Sequence, residues 1–224
     1  MLLQSGAGFP RGCIRPESVF CSWGDIMANP TRKLEISNIN AETYWKRPAS
    51  QPTGVENSDP IYTAVGRTLS SWENVEEAIT NLFMTLSQPA TDASYMTVGR
   101  AFGSMMSGAA RRSATEAAAD IFFKLNPSSP RGPFNQIIEN TRKASVLRDD
   151  AAHGRVSEVS KDRYLLMPPS YNSTRTIASS KIDPLGFEFA EYRYNADDLN
   201  TIWPKFNVLA NAIGDYIQFI RSPS

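Results

Sequence analysis

The chain has 224 residues, of which 41% are hydrophobic, and its 23 basic and 23 acidic side chains leave a net charge of zero. That length and apolar content suit one domain, or one domain and a tail, around a packed core. The charge balance excludes a protein that lives on bulk phosphate binding, which needs a basic excess, but leaves room for small, shaped contact with RNA.

Residues 1–57 show little periodicity and carry Gly6, Gly8, Pro10, Pro16, Pro30, Pro48, Pro52 and Gly54. They read as a flexible or loosely docked arm, in which Tyr44 and Trp45 are either anchors onto the domain or two aromatics in a disordered tail. Met27 opens Met27-Ala28-Asn29-Pro30 and is an alternative translation start. Cys13 and Cys21, with the single histidine His153, are too few for a structural zinc site or a disulfide framework, and they point to a reducing compartment. Met1–Pro10 holds no continuous apolar run of signal-peptide length. No stretch approaches the ~20 apolar residues of a membrane span. The expected location is the cytoplasm, with no membrane partner.

The domain is expected over 58–224. Asp59 can cap a helix and Pro60 fits its first position. Val65, Leu69, Trp72, Val75, Ile79, Leu82, Phe83 and Leu86 then recur at three- and four-residue steps, which predicts a helix over 60–87. A second helix is expected over 92–125, with a kink or break near Ser107-Gly108, where the apolar phase slips. Arg111-Arg112, just past the slip, is either a solvated face or a ligand-facing pair. A Pro-rich loop over 126–133 leads to a third helix over 134–153. Its stripe is Phe134, Ile138, Thr141, Ser145, Arg148 and Ala152, turning polar toward the end. Gly154 reads as its C-cap. Tyr164–Met167 and Phe187–Tyr194 look like strands able to pair as a long-looped hairpin, with a loop over 171–176. A last helix spans 196–221, capped by Asn195, and Pro204 either kinks it or marks its true first turn.

The chemistry concentrates in Arg148-Asp149-Asp150-Ala151-Ala152-His153-Gly154. Asp149 and His153 are four apart and share a helix face, so the carboxylate can hold the imidazole. Arg148 lies about 140° round the axis from His153, within reach of a long side chain. A fixed cation, a proton carrier and an acceptor in a small space suit a phosphodiester. The plain alternative is a histidine that caps its helix beside an ordinary helix pair. A metalloenzyme is disfavoured by the single histidine and the lack of an acidic cluster on one face. No G-x-S-x-G nucleophile elbow is present for serine hydrolase chemistry.

Arg148, the polar Asp149 after it and His153 resemble the R-x4-H motif of the HEPN superfamily. The helix order agrees, with the motif near the end of the third helix. Trp72-Glu73-Asn74-Val75-Glu76-Glu77 with Leu82-Phe83, and Met167-Pro168-Pro169-Ser170-Tyr171-Asn172, also look like parts of bacterial HEPN-like proteins. The resemblance covers about 60–221. It implies an all-α fold, a HEPN-like four-helix up-and-down bundle, on which the small β-hairpin read between the third and fourth helices is an elaboration. It implies a homodimer that brings two motifs into one cleft, and a metal-independent ribonuclease without a cofactor. In that scheme a ribose 2′-hydroxyl attacks the adjacent phosphate, with Arg148, Asp149 and His153 as the catalytic set. RNA and a neutralising protein are the expected partners, and DNA is not. Other members of the superfamily act as non-catalytic dimerisation or nucleotide- and RNA-binding modules, which is the alternative for this chain. Two features depart from the pattern. The net charge is zero, and Asp150 adds a second carboxylate where phosphate should come, offset only by Arg142, Lys143, Arg148 and Arg155.

Overall fold

The computed structural model describes residues 39–168 and 192–221. Cys13, Cys21, Met27, the loop expected over 171–176 and residues 187–191 of the aromatic stretch lie outside them. The first described element, α1 (Ala41–Tyr44), is one turn capped by Asn40, whose Oδ1 accepts from the backbone N–H groups of Glu42 and Thr43. Next, α2 (Asp59–Ser87) runs for 29 residues. Its buried positions, Ile61, Ala64, Thr68, Trp72, Val75, Ile79 and Leu82, follow the three-and-four spacing of the sequence. Its N-cap is Ser58 rather than Asp59, and Asn57 Oδ1 accepts from the Asp59 N–H. The helix ends where Gln88 turns left-handed, directly before Pro89.

The expected second helix is two helices, α3 (Asp92–Gly103) and α4 (Gly108–Leu125), broken where the phase slips. Each has its own cap: Thr91 and Ser94 form a capping box on α3, and Ser107 accepts from the Ala110 N–H on α4. The third long helix, α5 (Arg131–His153), starts earlier than expected. Pro133 sits in its first turn, where a missing N–H leaves nothing unpaired. After β1 (Arg155–Ser160) and β2 (Arg163–Met167) come α6 (Ala196–Asn200) and α7 (Trp203–Arg221). Asn195 caps α6 as expected, and Pro204 lies in the first turn of α7. The class is therefore the expected one, helical with a small antiparallel hairpin.

The hairpin is formed with a partner that was not expected. β2 pairs with β1, in the register Arg155↔Met167 to Ser160↔Arg163, through a two-residue turn at which Asp162 has φ 56°. Of the expected partner stretch only residues 192–194 are described, and among them one antiparallel bridge, Leu166↔Tyr194, meets β2. The physical reason lies in β1 itself. Arg155-Val156-Ser157-Glu158-Val159-Ser160 is mostly polar and largely exposed, so it carries no strong strand signal, yet it follows Gly154 without a loop.

α2 organises the core by packing against α3, α4, α5, α6 and α7. Trp72 meets Phe206 of α7 edge to face at 5.2 Å, and Phe83 stacks on Phe102 of α3 at 4.3 Å. Residues 39–57, the described part of the expected arm, belong to the same core. Trp45 is 5% exposed, stacks on Phe206 at 6.0 Å and donates from Nε1 to Asn140 Oδ1 at 2.7 Å. Val55 exchanges two backbone hydrogen bonds with Tyr164, at 3.0 and 2.8 Å. That approach needs Gly54, because a Cβ there would lie 2.6 Å from the Tyr164 nitrogen and 2.7 Å from the Arg163 carbonyl carbon. Among the described residues, no helix is long and apolar enough to cross a membrane.

Two glycines give opposite expected outcomes in denaturant unfolding. Gly54→Ala forces the segment off β2 and is expected to cost about 1–3 kcal/mol. Gly66→Ala, mid-helix in α2 with no atom within 4 Å of the new Cβ, is expected to stabilise by about 1 kcal/mol.

Candidate functional site

The last two turns of α5 divide into two arcs. With Arg148 set at zero, the 3.6-residue period places Asp149 at about 100° and His153 at about 140°, while Asp150, Leu147 and Ala151 fall at about 200–300°. The second arc is the buried one. The first is accessible: the Arg148 and Asp149 side chains are 36% and 39% exposed, and His153 is exposed. The expected stripe is buried through the first half of α5 and turns polar and part-exposed at Ser145 and Arg148, as its composition suggested; the separate buried face of the last turns was not expected. Phe134, Ile138 and Thr141 are buried, but by the end the buried face has swung to Leu147, Asp150 and Ala151. The neighbours explain the drift, because the end of α5 meets Arg47, Tyr192 and Tyr194.

Of the three expected site residues, two are in contact. Arg148 Nη1 donates to Asp149 Oδ1 at 3.0 Å, while Arg148 Nε is buried with no hydrogen-bond partner among the described residues. Asp149 shares the exposed arc with His153. Gly154 ends the helix, but not in the left-handed conformation its residue type suggested. Its φ and ψ are −68° and 150°. Glycine is needed there for space, since a Cβ would lie 2.7 Å from both the Asp150 carbonyl oxygen and Leu166 Cγ.

Asp150 does not share the accessible arc of Arg148, Asp149 and His153. Its side chain is 7% exposed and forms a two-point ion pair with Arg47, Nε to Oδ2 at 2.6 Å and Nη2 to Oδ1 at 2.8 Å. The Tyr194 hydroxyl donates to Oδ2 at 3.0 Å, and the Tyr192 hydroxyl donates to the Asp150 carbonyl oxygen at 3.0 Å. Arg47 also lies 5.6 Å from the centre of the Tyr192 ring, which stacks on Tyr194. Burial pushes the Asp150 carboxyl up from its ordinary value, against the pull of Arg47 and Tyr194. Burial, with the Asp150 charge next to them, also lifts both tyrosine hydroxyls well above the usual tyrosine range, so they stay donors.

Arg47, Asp150, Tyr192 and Tyr194 are absent from the expected site. Asp150 carried a signal: it follows Ala144 and Leu147 at helical steps, and an acid in an apolar stripe needs a buried partner. The partner carried none, because Arg47 is 103 residues away. The pair Arg111-Arg112, expected as a solvated face or a ligand contact, resolves for Arg111 as a structural tie. Arg111 bonds Glu76 on α2 at 2.7 Å and the Met105 carbonyl at 3.0 Å, pinning the break between α3 and α4. Among the described residues, no three His, Cys, Asp or Glu side chains converge as a metal site requires. No family model, no curated protein and no solved structure matches the chain.

Adjacent acids are expected to behave oppositely in thermal or denaturant unfolding. Asp150→Ala strands Arg47 and is expected to cost about 3 kcal/mol or more. Asp149→Ala removes a part-exposed pair and is expected to change stability by less than about 1 kcal/mol.

Proposed function

We propose that this chain is a metal-independent endoribonuclease of HEPN type, acting as a cytoplasmic homodimer that brings two copies of the motif together. α2, the α3–α4 pair, α5 and the α6–α7 pair are, in this reading, the four members of an up-and-down bundle, with the β1–β2 hairpin inserted before the last. The observation that carries the proposal is the turning of Asp150 into the interior, where Arg47 neutralises it. One of the two carboxylates that stood against phosphate binding is thereby removed, and Arg148, Asp149 and His153 remain together on the accessible arc. An attacking ribose 2′-oxygen forms a bond to the adjacent phosphorus, and the bond to the 5′-oxygen breaks. His153 carries a proton in this exchange, Arg148 balances the phosphate charge, and Asp149 orients or polarises its neighbours. The products are a 2′,3′-cyclic phosphate and a 5′-hydroxyl.

The Arg148–Asp149 contact favours a second reading. An arginine already matched by its neighbour suits a non-catalytic module that dimerises or binds a nucleotide or RNA. In that case His153→Ala and Arg148→Ala lose dimer or ligand binding, and the wild type shows no turnover.

The test is cleavage of a mixed RNA pool in EDTA, with the product ends analysed. His153→Ala and Arg148→Ala are each expected to lower cleavage by about 100-fold or more, with the circular dichroism unchanged. Cyclic-phosphate ends should vanish with the activity. Undiminished cleavage by both variants would sink the proposal, and inert dimeric wild type would leave the binding module standing.

A further inference from the structure

We propose that Arg47 is a positioning residue for the α5 motif, and that residues 39–57 form a strap whose docking on Asp150 sets the turn carrying Asp149 and His153. The inference rests on the ribonuclease reading for one of its two readouts only. The last carbonyls of a helix have no partner within it, and such ends fray. At the end of α5 the Asp150 carbonyl receives both the Gly154 N–H and the Tyr192 hydroxyl, each at 3.0 Å. The Asp150 side chain receives Arg47 and Tyr194. Asp150 lies between Asp149 and His153 in the same turn, so whatever fixes it fixes them. Among the described residues, the strap reaches three elements around that turn. It holds α5 through Arg47, β2 through Val55, and the 192–194 segment through the Gln51 N–H, which donates to the Arg193 carbonyl at 3.0 Å. Arg47 is the strap's only charged contact with the turn among the contacts described for it, and its planar fork matches the carboxylate at two points, which a lysine does not reproduce.

Removing both charges together avoids stranding either one, so the variant to make is Arg47→Met with Asp150→Asn. Hydrogen exchange is followed at the amides of residues 151–156, with those of α2 as the internal control. The expected result is exchange about 10-fold or more faster at 151–156, with α2 unchanged. If the wild type cleaves RNA, kcat is expected to fall about 10-fold or more with KM held. Arg47→Lys should lie between the two. Unchanged exchange at 151–156, or equal acceleration in α2, overturns the proposal whatever the cleavage shows. Faster local exchange with an unaltered kcat in an active enzyme overturns the positioning role. A wild type that never cleaves refutes the ribonuclease reading alone, because exchange still decides whether the strap sets the turn.

Discussion

An ionised carboxylate taken out of water must find a cation and donors for its remaining lone pairs, or its desolvation goes uncompensated. Asp150 imposes that requirement on this fold. The cation comes from Arg47, 103 residues earlier, and a donor from Tyr194, 44 residues later. Three distant pieces of chain must therefore meet at one end of α5, and the rest of that end is shaped to let them. Gly54 lets the strap touch β2, Gly154 lets β2 press on the end of α5, and the Leu166↔Tyr194 bridge brings the tyrosines to the same corner. Trp45, seated between Asn140 and Phe206, ties the strap's other end into the hydrophobic core.

The same requirement separates the chemistry of the motif from its support. Successive helix residues point about 100° apart, so a single step along α5 takes the chain from an accessible Asp149 to a buried Asp150. Arg148 and His153 fall on the accessible side with Asp149. A surface pair such as Arg148–Asp149 is weak and remade easily, whereas the buried pair beneath it is costly to break and geometrically demanding. Labile groups on a fixed base is the arrangement a phosphate-handling site needs, and it is equally what a binding surface needs.

Much of the fold was legible because its signals are local. The apolar spacing of α2, the slip at Ser107-Gly108, the Asn195 cap and the two roles open to Pro204 each depend on residues within a turn or two. The hairpin was half legible: Tyr164–Met167 has strand character, but β1 is polar and its identity depends on what lies beside it. The buried face of the second half of α5 was not legible for a similar reason, since it follows a change of neighbours rather than a single stripe. At the candidate site the accessible residues were visible as a motif. The buried ones were not, because no local pattern joins Arg47 to Asp150 across a hundred residues.

Gly154 is the whole of the joint between α5 and β1. With no loop there is no slack: one residue converts helix to strand, held between the Asp150 carbonyl and Leu166. The hairpin is then a lever fixed to the turn that carries His153. Along the backbone, a single pair of dihedral angles separates β1 from the turn that carries His153.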